Sequence, residues 1–246
     1  MDHCCLALAI LAGFVYLYAV TWIERRQAHQ LADKQPYAGA ADGTSRTAVV
    51  YFSRSGNTAL AARHVAKRLD AQLFALQAPD YPLGVSGLAH AVNDANTRRT
   101  QPNVLPEITP RTIDLTAFDT VWLGSPVWLY SPAPPIWAFI EHNRFDGQRV
   151  VLFNTFNSHI GDDYIARFKA KVMARGARSF EHKQVLRGRM TQQITPRGNA
   201  EGDGRVVVWC SKSALTCCDG ACARTTSHSR QNGAKRPQRI APKSAG

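Results

Sequence analysis

The sequence predicts a doubly wound α/β domain, in which helices cover both faces of a parallel sheet, preceded by an apolar N-terminal helix. Short apolar segments alternate with amphipathic helical segments from Thr47 to Leu186, and this alternation is typical of a parallel sheet. The first apolar segment runs directly into a glycine-containing turn that opens a helical pattern. A third observation is the stretch from Cys4 to Ile23, which carries no formal charge over 20 residues.

This uncharged stretch predicts a membrane span. Its length as a helix is about 30 Å, the thickness of the hydrocarbon core of a bilayer. A cleaved signal peptide is the alternative, but the positive region that precedes such a peptide is missing. We therefore expect residues 1–26 to be an uncleaved single-pass anchor and residues 27–46 to be a linker. Arginines follow the span, which predicts that the remaining chain lies on the cytoplasmic side of the inner (cytoplasmic) membrane.

The first half of the domain begins with an apolar, β-branched segment, Thr47–Phe52, which predicts a buried strand. Asn57–Leu69 places its apolar residues near one helical face, and Gln72–Leu76 is a short second strand. Residues 79–110 are mixed in character, with a helical patch around Ser86–Thr97. The order of these elements is that of a strand–helix–strand unit.

The second half of the domain continues the alternation. Asp119–Gly124 and Arg149–Asn154 read as further buried strands. The segment Pro134–Asn143 begins on prolines, which the first turn of a helix tolerates. The helix Asp162–Arg175 is followed by a glycine, a common helix stop. Ser179–Leu186 is the predicted fifth strand.

The loop between the first strand and the first helix of the domain is rich in hydroxyl and amide groups. Its residues are Ser53, Arg54, Ser55, Gly56, Asn57 and Thr58. Glycine permits a tight turn and a close approach of the backbone, and the first N–H groups of the following helix point to the same place. The pattern predicts a phosphate cradle without a lysine, in which Arg54 either adds charge or points to solvent. An ordinary capped turn is the alternative.

The motif Ser-Arg-Ser-Gly-Asn-Thr resembles the first FMN-binding loop of flavodoxins, Ser/Thr-x-Ser/Thr-Gly-x-Thr after a buried strand. The resemblance covers residues 47–190. It implies a flavodoxin-like five-stranded parallel sheet with strand order 2-1-3-4-5, and FMN as the cofactor. In that topology the ligand binds outside the carboxyl ends of the strands.

The segment after the third strand, Gly124–Pro135, resembles the second flavin loop of the same family, in which Gly-x-Pro-x-aromatic precedes a proline-led helix. The resemblance implies that this loop contacts the flavin ring, with two aromatic residues as a wall. The implied contacts are Ser125, Pro126, Val127, Trp128 and Tyr130. In the alternative interpretation, Trp128 simply packs beneath the following helix.

The polar loop after the fourth strand occupies the position of the third flavin loop of the family. The resemblance implies hydrogen bonds to the pyrimidine edge of the ring from Thr155, Asn157 and Ser158, and cover from Phe156. His159 in the same loop is interpreted as a surface residue, because a lone loop histidine is usually one. No catalytic residue and no metal ligand are assigned.

The chain carries a formal net charge of +12. About half of this excess lies in residues 191–246, whose composition predicts a basic tail without stable order. The tail does not offer the fifth helix that the family requires. The charge is not accompanied by a nucleic-acid-binding motif, so we expect no nucleic-acid partner.

These expectations together predict a membrane-tethered, FMN-binding electron carrier that exchanges electrons with a redox partner protein or a membrane quinone. An NAD(P)H-dependent quinone or flavin reductase of the same fold is the second hypothesis. A flavin-free interaction domain is the third.

Overall fold

A computed structural model describes residues 3–32, 44–156, 159–186 and 208–210. Most of the predicted linker and most of the predicted tail lie outside these residues. Within them the chain forms a sheet with helices on both faces and one long N-terminal helix. The helices are α1 (His3–Ala32), α2 (Asn57–Leu69), α3 (Val85–Thr100), α4 (Pro134–His142) and α5 (Asp162–Ala174). The strands are β1 (Thr47–Phe52), β2 (Gln72–Leu76), β3 (Thr120–Trp128), β4 (Ser131–Pro132), β5 (Arg149–Phe156), β6 (Ser179–Leu186) and β7 (Val208–Cys210).

The strand order is β2-β1-β3-β5-β6-β7, and the short β4 pairs with β3. The five long strands are all parallel to one another, so the predicted fold class and the strand order 2-1-3-4-5 are confirmed. The short strand β7 is antiparallel to β6. It comes from within residues 191–246 and was not predicted.

The third strand is longer than the sequence predicts. It continues from Gly124 to Trp128 because Ser125 and Pro126 pair with β5, and the next two residues pair with β4. Residues 125–128, predicted as a loop, are therefore the end of a strand. The helix α1 likewise continues past the predicted span to Ala32.

Two apolar layers hold the sheet between its helices. The layer on the α2 side contains Val49, Tyr51 and Phe153 together with small residues of α2, such as Ala62 and Ala66. Small side chains allow α2 to approach the strands closely. The layer on the other face is larger and joins the strands to residues of α3, α4 and α5. The layer on the α2 side involves β1, β2, β3 and β5, whereas the larger layer also includes Phe180 of β6.

The helix α1 differs from the other helices in its exposure. Among the described residues, it is the helix that is long and apolar enough to cross a membrane: an 18-residue window within Cys5–Gln30 has a mean hydropathy of 2.1, and 6% of that window is buried. Near its C-terminal end, Thr21 and Glu24 are buried. They lie on one helical face because they are three residues apart. This end of α1 therefore packs against the domain.

Candidate functional site

The predicted phosphate cradle lies where β1 passes into α2. Gly56 caps the helix in the left-handed conformation with φ 88°, and its N–H donates to the Ser53 hydroxyl oxygen at 3.1 Å. The first hydrogen bond within α2 runs from the Leu60 N–H to the Gly56 carbonyl at 2.9 Å. The N–H groups in the first turn of α2 point out of the N-terminal end of the helix toward the cradle.

Side chains of the cradle contact one another and the third loop. The Asn57 side-chain amide donates to the Ser55 hydroxyl at 3.3 Å. The hydroxyls of Thr58 and Thr155 lie 2.8 Å apart and are buried. The structure thus brings the first and third predicted loops together through two threonines that are 97 positions apart in sequence.

Arg54 is directed to α1 and to the loop before α3. Its guanidinium forms an ion pair with Glu24 and donates to the carbonyls of Pro82 (3.2 Å) and Gly84 (3.0 Å). The side chains of both partners are nearly fully buried, with 5% of Arg54 and 3% of Glu24 exposed. The interpretation that Arg54 points to solvent is wrong. A contribution of Arg54 to phosphate binding stays a prediction.

The residues of the second loop fall into two groups. Ser125 is fully buried, and its hydroxyl accepts a hydrogen bond from the Ala133 N–H at 2.9 Å. Pro126 and Val127 belong to the end of β3. The Trp128 ring packs edge-on against Phe52 at 5.7 Å and Tyr81 at 5.1 Å between centroids. Trp128 is thereby fixed in an aromatic cluster at this edge of the sheet, and its contact with a flavin stays a prediction.

Tyr130 lies at the tip of a tight hairpin between β3 and β4. Leu129 and Tyr130 both have positive φ, 45° and 70°. Two positive φ values in a two-residue turn are the pattern of a type I′ hairpin, which usually carries asparagine or glycine. A left-handed conformation costs about 1–2 kcal/mol for other residues. Tyr130 is 53% exposed, so an exposed aromatic ring is kept at this edge in spite of the strain.

A polar row crosses the sheet below these loops. The Asn154 amide donates to the Ser125 carbonyl at 3.1 Å, and its oxygen lies 2.9 Å from His182 Nε2. Burial lowers the pKa of His182 to about 4, so the ring is neutral at pH 7 and donates its Nε2 proton to Asn154. This row joins β3 and β5, near their carboxyl ends, to the middle of β6. His182 was not predicted, because nothing in its local sequence indicates a polar partner on the next strand.

The remaining residues of the third loop are placed in part. Phe156 ends β5 and is half-buried. Asn157 and Ser158 lie outside the described residues, so their contacts stay predictions. His159 is exposed, and its ring lies 6.3 Å from that of Tyr130. The hairpin and the third loop are joined directly, because the Gly161 N–H donates to the Tyr130 carbonyl at 2.8 Å.

Tyr81 is a second residue that the sequence does not single out. Its hydroxyl donates to Asp94 at 2.8 Å, and burial together with this carboxylate raises the pKa of Tyr81 well above its ordinary value. The phenol therefore stays protonated. Its ring touches both Phe52 and Trp128, which makes it part of the cluster that supports the second loop.

The cradle and the two further loops thus meet at one edge of the sheet. The family model of the flavodoxins matches residues 46–193, about three fifths of the chain. This protein belongs to the flavodoxin family. The match includes the cradle, the hairpin and the polar row. No curated protein matches the chain.

Several solved structures are similar to this chain. A protein from Bacteroides uniformis is 22% identical, with a TM-score of 0.49, and the alignment covers 58% of this chain and 92% of that one. A flavoprotein from Lactobacillus acidophilus in complex with FMN is 18% identical, with a TM-score of 0.47 and coverage of 65% and 99%. Flavodoxin 1 from Bacillus cereus is 16% identical, with a TM-score of 0.35 and coverage of 59% and 88%.

Proposed function

We propose that this flavodoxin binds FMN and carries electrons while tethered to a membrane by α1. The observation that carries the proposal is the cradle at the start of α2, where a left-handed glycine, hydroxyl side chains and helical N–H groups converge. Such a site favours a dianionic phosphate, because the helix N-terminus carries a partial positive charge and presents N–H donors.

The residue types of the cradle fit the phosphate of FMN. Residues 53–58 contain hydroxyl, amide and backbone donors and no carboxylate, so no like charge in this segment opposes an anion. Ser53, Ser55, Asn57 and Thr58 would hold the phosphate together with the backbone at Gly56. When bound, FMN supplies one- and two-electron redox chemistry, and the protein supplies orientation and electrostatics.

The ring of the cofactor would be held by the second and third loops. Tyr130 offers an exposed aromatic face, and the peptide groups at the end of β3 offer hydrogen-bonding partners. The polar row of Ser125, Asn154 and His182 holds together the strands β3, β5 and β6, and the second and third loops extend from β3 and β5. Because His182 is neutral at pH 7, it adds no positive charge near the ring.

A membrane position for the carrier is supported by α1. Its apolar surface is exposed over most of its length, and a soluble environment would leave that surface in contact with water. The tether would keep the flavin site close to membrane-bound reactants. We propose a redox partner protein or a membrane quinone as the reactant, with the domain on the cytoplasmic side.

An NAD(P)H-dependent quinone or flavin reductase is the second candidate. The observation that favours it is a cleft of about 240 Å³ beside β4, since a carrier needs no substrate pocket. Cationic side chains line the cleft, among them Arg98, Arg167 and Lys171. The cleft is smaller than the roughly 300–1,000 Å³ of ordinary small-molecule sites, and Arg167 and Lys171 are paired with carboxylates. The carrier therefore remains the conclusion.

The experiment that tests FMN binding uses the full chain in detergent. We expect a flavin absorption spectrum and, after removal of the flavin, tight binding of added FMN. Replacing Asn57 and Thr58 by alanine should weaken FMN binding at least tenfold, because each lost hydrogen bond to a charged group is worth roughly 1.5–3 kcal/mol. A matched variant, Asn93→Ala with Thr100→Ala on the exposed surface of α3, should bind FMN normally.

The same preparation separates the candidates. A colourless protein without affinity for FMN would overturn the proposal and favour a flavin-free interaction domain. Steady-state turnover of a soluble quinone with NADPH would favour the reductase. The carrier should show flavin binding with almost no such turnover.

A further inference from the structure

Arg54 connects the phosphate cradle to the N-terminal helix through a buried ion pair. Its guanidinium contacts the Glu24 carboxylate and the carbonyls of Pro82 and Gly84. These three partners come from α1 and from the loop before α3, so one side chain within the cradle is held from two directions. The backbone of Arg54 lies two residues before the glycine that caps α2.

The burial of this pair makes it sensitive to the loss of either partner. A surface ion pair contributes little, because water screens both charges. In a buried pair, removal of one partner leaves an uncompensated charge that must move toward water. If Glu24 loses its charge, we therefore expect the Arg54 guanidinium to move toward water. The loop that carries Arg54 should shift with it.

Binding of phosphate by backbone N–H groups depends on their positions. Sites of this kind require their groups within about 0.5 Å of the productive geometry. A shift of the segment that precedes Gly56 would misplace the donors of the cradle. The ring of a flavin would be affected less, because none of the described residues of the second and third loops is a hydrogen-bond partner of Glu24 or Arg54.

We propose that Glu24 is a positioning residue for the phosphate cradle, so that docking of α1 on the domain and affinity for the flavin phosphate are coupled. This inference rests on the proposed function. Coupling of two equilibria is reciprocal, so phosphate binding should in turn strengthen the docking of α1. The anchor of this flavodoxin is then a part of its cofactor site.

The test compares FMN with riboflavin, which has the same ring and lacks the phosphate. Dissociation constants are measured by quenching of flavin fluorescence on the full chain in detergent. We expect Glu24→Gln to weaken FMN binding at least tenfold, about 1.4 kcal/mol, and to change riboflavin binding by less than twofold. Glu181→Gln removes a half-exposed ion pair with Arg149 at the other end of β5 and should change neither constant.

A second variant guards against a general loss of structure. Glu24→Leu with Arg54→Met removes both charges, so that no unpaired charge stays buried. We expect this double variant to unfold cooperatively and to keep its riboflavin affinity. It should lose FMN affinity, because residue 54 then no longer ties the cradle to α1 and to the carbonyls of Pro82 and Gly84. Amide hydrogen exchange should rise in residues 53–58 of either variant. In the wild type, added FMN should slow exchange in residues 21–28 of α1, and riboflavin should not.

Each outcome decides the inference. Equal losses of FMN and riboflavin would show a purely structural role and overturn it, as would FMN binding at the wild-type level. Tighter FMN binding by Glu24→Gln would show that Arg54 is a phosphate ligand that Glu24 holds back, which also overturns it. A wild type that binds riboflavin and FMN equally would show that the phosphate is not held and would overturn the inference, and a wild type that binds neither would overturn the proposed function itself. Failure in the variants alone would leave that function standing.

Discussion

Gly124 offers the sharpest test of how the sheet is packed beneath the candidate site. It stands in register between Tyr51 of β1 and Phe153 of β5. A Cβ atom added at this position would lie 2.4 Å from Cζ of Phe153 and 2.9 Å from Cβ of Tyr51. Both distances are far below a van der Waals contact, so Gly124→Ala must displace the ring or the strands.

The expected cost follows from how firmly Phe153 is held. Its ring is 1% exposed and packs against Trp122, so it has little room to move. Overpacking a core costs about 1–3 kcal/mol, and we expect the upper part of that range. For a domain of this size, 2–3 kcal/mol lowers Tm by roughly 4–12 °C. Thermal unfolding of the full chain in detergent, followed by near-ultraviolet circular dichroism, measures the change.

Two further variants test the stated cause. Phe153→Leu removes the ring atoms that the new methyl group would meet, so Gly124→Ala should cost at least 1 kcal/mol less in that background, by the nonadditivity expected for residues in contact. Gly13→Ala adds the same methyl group where nothing lies within 4 Å and should not lower Tm. A Tm for Gly124→Ala within 1 °C of the wild type, or equal costs in both backgrounds, would refute the packing argument.

Two other predictions concern the edge of the sheet. Because burial lowers the pKa of His182 to about 4, below its unfolded value of about 6.5, its contribution to stability is complete above pH 6.5 and is lost as the pH falls toward 4. Denaturant titrations should show a loss of up to about 3 kcal/mol over this window, and His182→Gln should reduce it; an unchanged pH profile would contradict the assignment. Tyr130→Gly should relieve left-handed strain and raise stability by about 1 kcal/mol while weakening FMN binding, whereas Leu129→Gly should raise stability with flavin affinity intact. Unchanged FMN affinity in Tyr130→Gly would remove Tyr130 from the ring site.

The elements with strong local signals were predicted from the sequence to the residue. The strand Thr47–Phe52 and the helix Asn57–Leu69 have the predicted bounds, because an apolar run, a glycine turn and a helical periodicity follow one another without interruption. The strand Ser179–Leu186 was also predicted with its bounds. Strand order followed from the family resemblance and not from any single segment.

The parts that were missed depend on partners that are distant in sequence. The end of β3 reads locally as a loop, since Gly124 is followed by serine and proline, and it becomes a strand because β5 and β4 supply hydrogen bonds. The partner of Arg54 lies 30 positions earlier, on a helix predicted to serve only as an anchor. The hairpin at Tyr130 has neither glycine nor asparagine, so no turn signal indicated it.

The continuity of α1 has a consequence for how reactants would reach a flavin bound at the candidate site. The helix runs without a break from its apolar turns to Glu24, which is locked onto the domain. With those turns embedded in lipid, the domain would keep a nearly constant height and tilt above the bilayer. It would not reorient freely, as a domain on a flexible linker does. Encounters would then depend on two-dimensional diffusion and on which side of the domain faces the reactant. A reactant confined to the same leaflet would therefore meet the site far more often than an equally concentrated reactant in bulk water.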